Sequence, residues 1–152
     1  MGLSIYVHQN IQKVPDDATD EDFQVHPYEA YGDRVRNLET NAKYKVGKSI
    51  FIFSYSYHGH HDFRGALSEL IGKERNFWQI DISEDCPFFE LLCFTDSDAC
   101  LDWESSKNLY ADFVAYRDLA DKKFDSGDWT CYNYWLEAFR LGKKKNSVVQ
   151  LG

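Results

Sequence analysis

No stretch of this 152-residue chain approaches the ~20 consecutive apolar residues of a membrane-spanning helix, which argues against insertion in a bilayer. The opening residues, MGLSIYVHQN, have neither a basic leader region nor a long apolar run, so they do not read as a secretory signal. A myristoylation signal wants Ser or Thr at position 6, where this chain has Tyr6, so no lipid anchor is expected. Cationic surface is scarce too. The basic run Lys143, Lys144, Lys145 stands alone, whereas a duplex-binding protein needs a broad positive footprint to release counterions. Direct nucleic-acid binding is disfavoured. Cys86, Cys93 and Cys100 are spaced by seven, while zinc sites pair cysteines two to four apart. With Cys131 they are expected to be reduced thiols in a cytoplasm.

What is abundant is rings and acid. Phe, Trp and Tyr make up 16% of the chain, enough for a ring-rich core with some aromatics left to anchor an interface. The net charge of −8 is concentrated: residues 80–128 carry thirteen acidic and four basic side chains, and the rest is nearly neutral. Such a segment suits a basic partner or a soluble surface. A DNA mimic would need acids spread over one face, and the mixed signs in residues 1–79 argue against it.

Leu3, Ile5 and Val7 alternate with polar neighbours, which predicts a strand at the start. Residues 13–24 read as an acidic loop, and residues 26–47 as irregular with room for a short helix. KSIFIFSYSY, from Lys48 to Tyr57, is the clearest strand, rich in rings and β-branched residues. Phe63, Ala66, Leu67, Leu70 and Ile71 then fall on one helical stripe that Gly72 ends. CPFFELLCF is an apolar run that fits a buried strand or a short helix equally. A long helix is expected over 103–124, and a second one capped by Asp128 and stopped at Gly142. SVVQL reads as a closing strand. No repeat or linker interrupts this order. The expectation is one α+β domain over 1–152, a small β-sheet packed against three helices.

Two clusters carry candidate chemistry. His58, His60, His61 and Asp62 lie at the strand-to-helix junction, and imidazoles with a carboxylate are good ligands for zinc or another divalent ion. With Asp96 or Asp98 completing the site they would make a metal-dependent hydrolase. No HExxH or comparable spacing is present, so the plainer reading is a hydrated bend with Gly59 as its turn and no cofactor. The second cluster runs from Asp96 to Glu104. A calcium loop begun at Asp96 fails at Cys100, Leu101 and Lys107, where it needs an oxygen ligand, Gly and Glu. Asp102 and Glu104 instead suit the positive end of the following helix. Pairing of Cys93 or Cys100 with His58 or His61 as nucleophile and base has no local signature behind it.

Several segments follow one familiar order: MGLSIYV, FSYSYHGHHDFRGALSELIG, CFTDSDACLDWESSKNLYADFVAY and YWLEAFRLGKKKNSVVQL. Together they span nearly the whole chain, and their order resembles a family of small uncharacterised bacterial and phage proteins. Members share a Met-Gly-Leu-Asp-like start and a Ser-Tyr-Ser segment leading to a Phe-Arg helix. A Ser-Asp-x-Asp-Gly-like turn and a Trp-x-x-Ala-Phe helix follow. Here Ser4 stands in place of the usual Asp and Ala99 in place of the usual Gly, and the histidine cluster is extra. The resemblance implies a shared architecture and a phage or prophage origin, but no activity.

These readings favour a non-enzymatic protein-binding module, in the host cytoplasm if phage-encoded, that inhibits a host protein. Asp96, Asp98, Asp102 and Trp103 are the expected contacts with that protein, because they share one acidic loop. The hydrolase is the alternative.

Overall fold

Leu3, Ile5 and Val7 are fully buried along β1 (Gly2–Gln9), and the alternation that predicted the strand is the alternation of its two faces. The computed structural model describes residues 2–26, 37–93 and 99–152. The short helix expected within 26–47 falls largely on residues 27–36, outside the described residues.

β1 lies inside a four-stranded antiparallel sheet, flanked by β5 (Lys48–Ser56) and β7 (Val148–Leu151), with β6 (Ala99–Asp102) beyond β7. In β5 the pairings Ile5↔Phe53 and Tyr6↔Phe51 leave Ile52 as a bulge. The extra residue resets the pleat, so Ile50, opposite Val7, and Phe53, opposite Ile5, both pack on the core. β6 occupies part of the expected acidic loop. A second, three-stranded sheet joins β2 (Gln12–Val14), β4 (Lys43–Lys45) and β3 (Phe23–Gln24) in the order β2, β4, β3. Its outer strands lie at the two ends of the segment read as a loop.

Five α-helices lie among the described residues: α1 (Tyr57–Leu70), α2 (Phe89–Leu92), α3 (Trp103–Ala115), α4 (Arg117–Lys123) and α5 (Ser126–Gly142). α1 stops as expected. Gly72 takes φ of 80°, its N–H donates to the Glu69 carbonyl, and the Lys73 N–H donates to the Ser68 carbonyl. That pair of bonds is a Schellman motif, which needs a left-handed residue where Gly72 sits. The helix expected over 103–124 is broken at Tyr116, without Gly or Pro, and the Tyr116 ring packs on Phe88 at 5.5 Å. α5 begins three residues earlier than expected: Asp125, not Asp128, is the cap, and its Oδ1 accepts from the Asp128 N–H at 2.8 Å.

The helices cover one face of the larger sheet. Phe63 and Leu67 of α1, Leu109 and Phe113 of α3, and Tyr132, Trp135 and Phe139 of α5 meet Leu3, Ile5, Val7, Leu101 and Val149 in the main core. Cys100 and Val148, the strand neighbours of Leu101 and Val149, point the other way. They join Ile11, Phe23, Val25, Leu38, Ala42 and Tyr44 in a second core under the smaller sheet. The chain is therefore an α+β fold with the four-stranded sheet in the middle. Gly142 marks its tightest contact: a Cβ there would lie 2.5 Å from Val149 Cγ2 and 2.9 Å from Ser106 Oγ, where α5, α3 and β7 close on one another.

Candidate functional site

The histidine segment is a capped helix start and not a bend. Ser56 keeps extended backbone, its Oγ accepts from the Gly59 N–H at 2.8 Å, and α1 begins at Tyr57. Helical geometry then sends the four expected ligands to different places. His58 and Asp62, one turn apart, face solvent together with Nε2 and Oδ2 3.2 Å apart. His61 lies half-buried against Phe77 and Trp78, with its ring centroid 4.4 Å from that of Trp78. His60 points inward and has no exposed surface, which corrects the expectation that the whole segment is wet. His58 with Asp62 supplies two ligands. Among the described residues no three His, Cys, Asp or Glu side chains form a group that could hold a metal ion. The helix thus separates the residues that the hydrolase reading needs together.

Around His60 a polar chain crosses the core. Trp135 Nε1–H can only donate, and it donates to the Tyr55 hydroxyl oxygen at 3.0 Å. That hydroxyl lies in a short contact with His60 Nδ1. Burial lowers the His60 pKa to about 3, with Arg64 and His61 adding to the effect, so the imidazole is neutral. Burial also raises the Tyr55 pKa, so both groups meet uncharged.

The acidic contact residues fare differently from one another. Asp96 and Asp98 lie outside the described residues. Asp102 is not a surface group, and this corrects its assignment as a contact residue. It is fully buried; Oδ1 accepts from the Ser105 N–H at 2.8 Å as the cap of α3, and Oδ2 accepts from the Asn37 N–H at 2.7 Å. The expectation of an acid at this helix start holds, and the same fact removes it from docking. Trp103 is half-buried and packs on the second core.

Acid is gathered instead in a cleft of about 350 Å³ lined by Glu84, Asp85, Glu90 and Asp112 with Cys86, Asn108 and Ala111. Two of these carboxylates have internal work. Glu90 is buried and accepts from Asn108 Nδ2 at 3.0 Å. Asp112 Oδ2 accepts from the Phe88 N–H at 2.9 Å and so supports a residue held at φ of 62°, a left-handed conformation that a ring-bearing residue rarely adopts. Burial pushes the Asp112 carboxyl above the usual range and nearby Glu90 adds to this, with the Phe88 bond acting against both.

The sheet edge at β5 is what the sequence reading missed. β5 pairs with β1 on one side, and among the described residues no strand pairs with its other side. Lys48, at its first position, is its one charged residue. Phe51 projects from it with 56% of its surface exposed, beside Tyr6 at 37%. These two rings open a row across the outer face of the sheet. Phe51 meets Tyr6 at 5.4 Å, Tyr6 meets His8 at 6.1 Å, His8 meets Phe23 at 5.7 Å, and Phe23 meets Tyr44 at 5.3 Å. The row thus runs from the β5 edge into the second core. His8 is fixed within it, with Nε2 2.7 Å from Gln150 Oε1 and Nδ1 2.9 Å from Ser49 Oγ. The amide oxygen can only accept, so Nε2 carries the proton and Nδ1 accepts from the Ser49 hydroxyl. Burial lowers the His8 pKa, with the Gln150 bond and Asp22 acting against it. The one sequence signal for an edge was the lack of charge after Lys48, and that signal marks a central strand equally well.

No family model, no curated protein and no solved structure matches the chain. No helix among the described residues is long and apolar enough to cross a membrane.

Proposed function

We propose that this chain is a non-enzymatic protein-binding module whose partner adds an extended strand to β5. The observation that carries the reading is the free edge itself: a nine-residue strand, uncharged after Lys48, with Phe51 exposed beside Tyr6. Edges of this kind invite pairing, and proteins that do not use them blunt them with charge, proline or cover. Backbone N–H and C=O groups supply affinity in strand addition, and side chains at alternate positions supply specificity. The partner segment that fits is extended, with an apolar side chain lying on Phe51 and Tyr6 and an acidic residue toward Lys48. The phage origin implied by the family resemblance would make that partner a bacterial host protein, which the module blocks.

The test compares capture of bacterial proteins by the wild-type chain, by Phe51→Lys and by Glu84→Lys. Both altered residues are exposed, so both variants are expected to keep the fold. Phe51→Lys is expected to weaken a captured partner at least about tenfold, as loss of an anchoring ring does, and Glu84→Lys to leave it bound. Loss with Glu84→Lys alone would move the docking site to the acidic cleft.

A further inference from the structure

We propose that His60 is the pin of an acid-releasable latch that fastens the end of β5 and the start of α1 to α5. The hydrogen-bond directions carry the argument. Tyr55 oxygen already accepts from Trp135, so two arrangements remain for its contact with His60. If Tyr55 donates to Nδ1, the proton of the neutral ring sits on Nε2, a buried nitrogen with no hydrogen-bond partner among the described residues. If His60 donates instead, Tyr55 O–H and Nε2 are both left over. Burial penalises every unmade bond, so the first arrangement holds: Trp135 N–H to Tyr55 oxygen, and Tyr55 O–H to His60 Nδ1.

Protonation dismantles this chain. An imidazolium carries N–H at both nitrogens, so Nδ1 no longer accepts and the Tyr55 proton loses its place. A positive charge is then buried with no counter-charge among the described groups that act on it. On α1 the groups acting on His60 are Arg64 and His61, and both oppose a further positive charge. β5 contributes Tyr55, a neutral phenol, and α5 contributes Cys131, a thiol that acts on Tyr55 and whose own pKa burial raises. No carboxylate figures among these groups. The relief is for the ring to leave its slot, which detaches α1 from the Tyr55 hydroxyl and leaves that hydroxyl held by Trp135 alone. This device is independent of strand addition, although it grips the same strand.

The test follows the native chain from pH 7.5 to pH 4.5 with His60→Asn beside it. The Asn carbonyl can accept the Tyr55 proton and does not titrate. For the wild type, the unfolding equilibrium constant relative to His60→Asn is expected to rise roughly tenfold per pH unit below about 6.5. Amide exchange over residues 54–60, corrected for its intrinsic pH dependence, should speed up before that of the main core. NMR titration of the wild-type imidazoles gives a second route that needs no variant. It should show His60 neutral throughout the folded range. A His60 ring that protonates near 6.5 without loss of structure would overturn the latch, as would a His60→Asn chain with unchanged pH dependence.

Discussion

Asp102 shows how one side chain can be given the right local role and the wrong surroundings. An acid before a helical stripe is a legible cap, and it caps α3. Its depth was not legible, because the second donor to its carboxylate, the Asn37 N–H, comes from 65 positions away. Replacing it tests the correction. Asp102→Ala removes the cap and strands a buried N–H, an expected loss of about 2–4 kcal/mol in urea unfolding. Asp102→Asn, which still accepts, should lose less. A docking residue on the surface would give a change under about 0.5 kcal/mol. His58→Ala is the opposite case. Its pairing with Asp62 is solvent-exposed, so removing it should move stability by no more than about 0.5 kcal/mol. Of the histidine cluster, the spacing of the residues was plain in the sequence but the depth of His60 was not. That depth depends on Tyr55 and Trp135, and Trp135 comes from the other end of the chain.

At the scale of elements, strongly periodic segments were readable: β1, the apolar stripe of α1, the Gly72 stop and the closing strand β7. Caps were readable in kind and not in place. Asp125 and Asp128 are both acids before an apolar stripe, and only geometry shows that Asp125 accepts the bond. Asp125→Ala is expected to lower stability by about 1 kcal/mol, and Asp128→Ala, where burial offsets the favourable position near the helix dipole, by less than half that. Equal losses in thermal unfolding would contradict the assignment. At the far end of α5, Gly142→Ala forces a methyl group against Val149 and Ser106 and should cost about 1–3 kcal/mol. The smaller sheet escaped the sequence because its strands are two or three residues long, too short for a period to appear. The break at Tyr116 escaped because no Gly or Pro marks it, only the packing of its ring on Phe88.

For the whole molecule, pH dependence follows from which groups are buried without charge. His60 has a folded pKa lowered to about 3 against an unfolded value near 6.5. As pH falls below 6.5 the unfolded chain binds a proton that the folded one refuses, so stability is lost in that window, by about 2 kcal/mol on reaching pH 5. Asp112 and Asp128 act in the opposite sense, because burial raises both. A carboxylate raised in the fold weakens it once both states are ionised and relieves it on acidification, at pH values nearer the carboxylate range than the His60 window. Stability should therefore be greatest above pH 7 and fall toward pH 5. A flat profile between these values in chemical unfolding would contradict the neutral burial of His60.

Amide hydrogen exchange across Lys48–Ser56, with and without a captured partner, tests strand addition to β5 directly. The outward N–H groups of this strand exchange quickly in the free chain and become slow in the complex if a partner strand bonds to them. Protection confined to the cleft of Glu84, Asp85, Glu90 and Asp112, with β5 exchanging as before, would contradict the account.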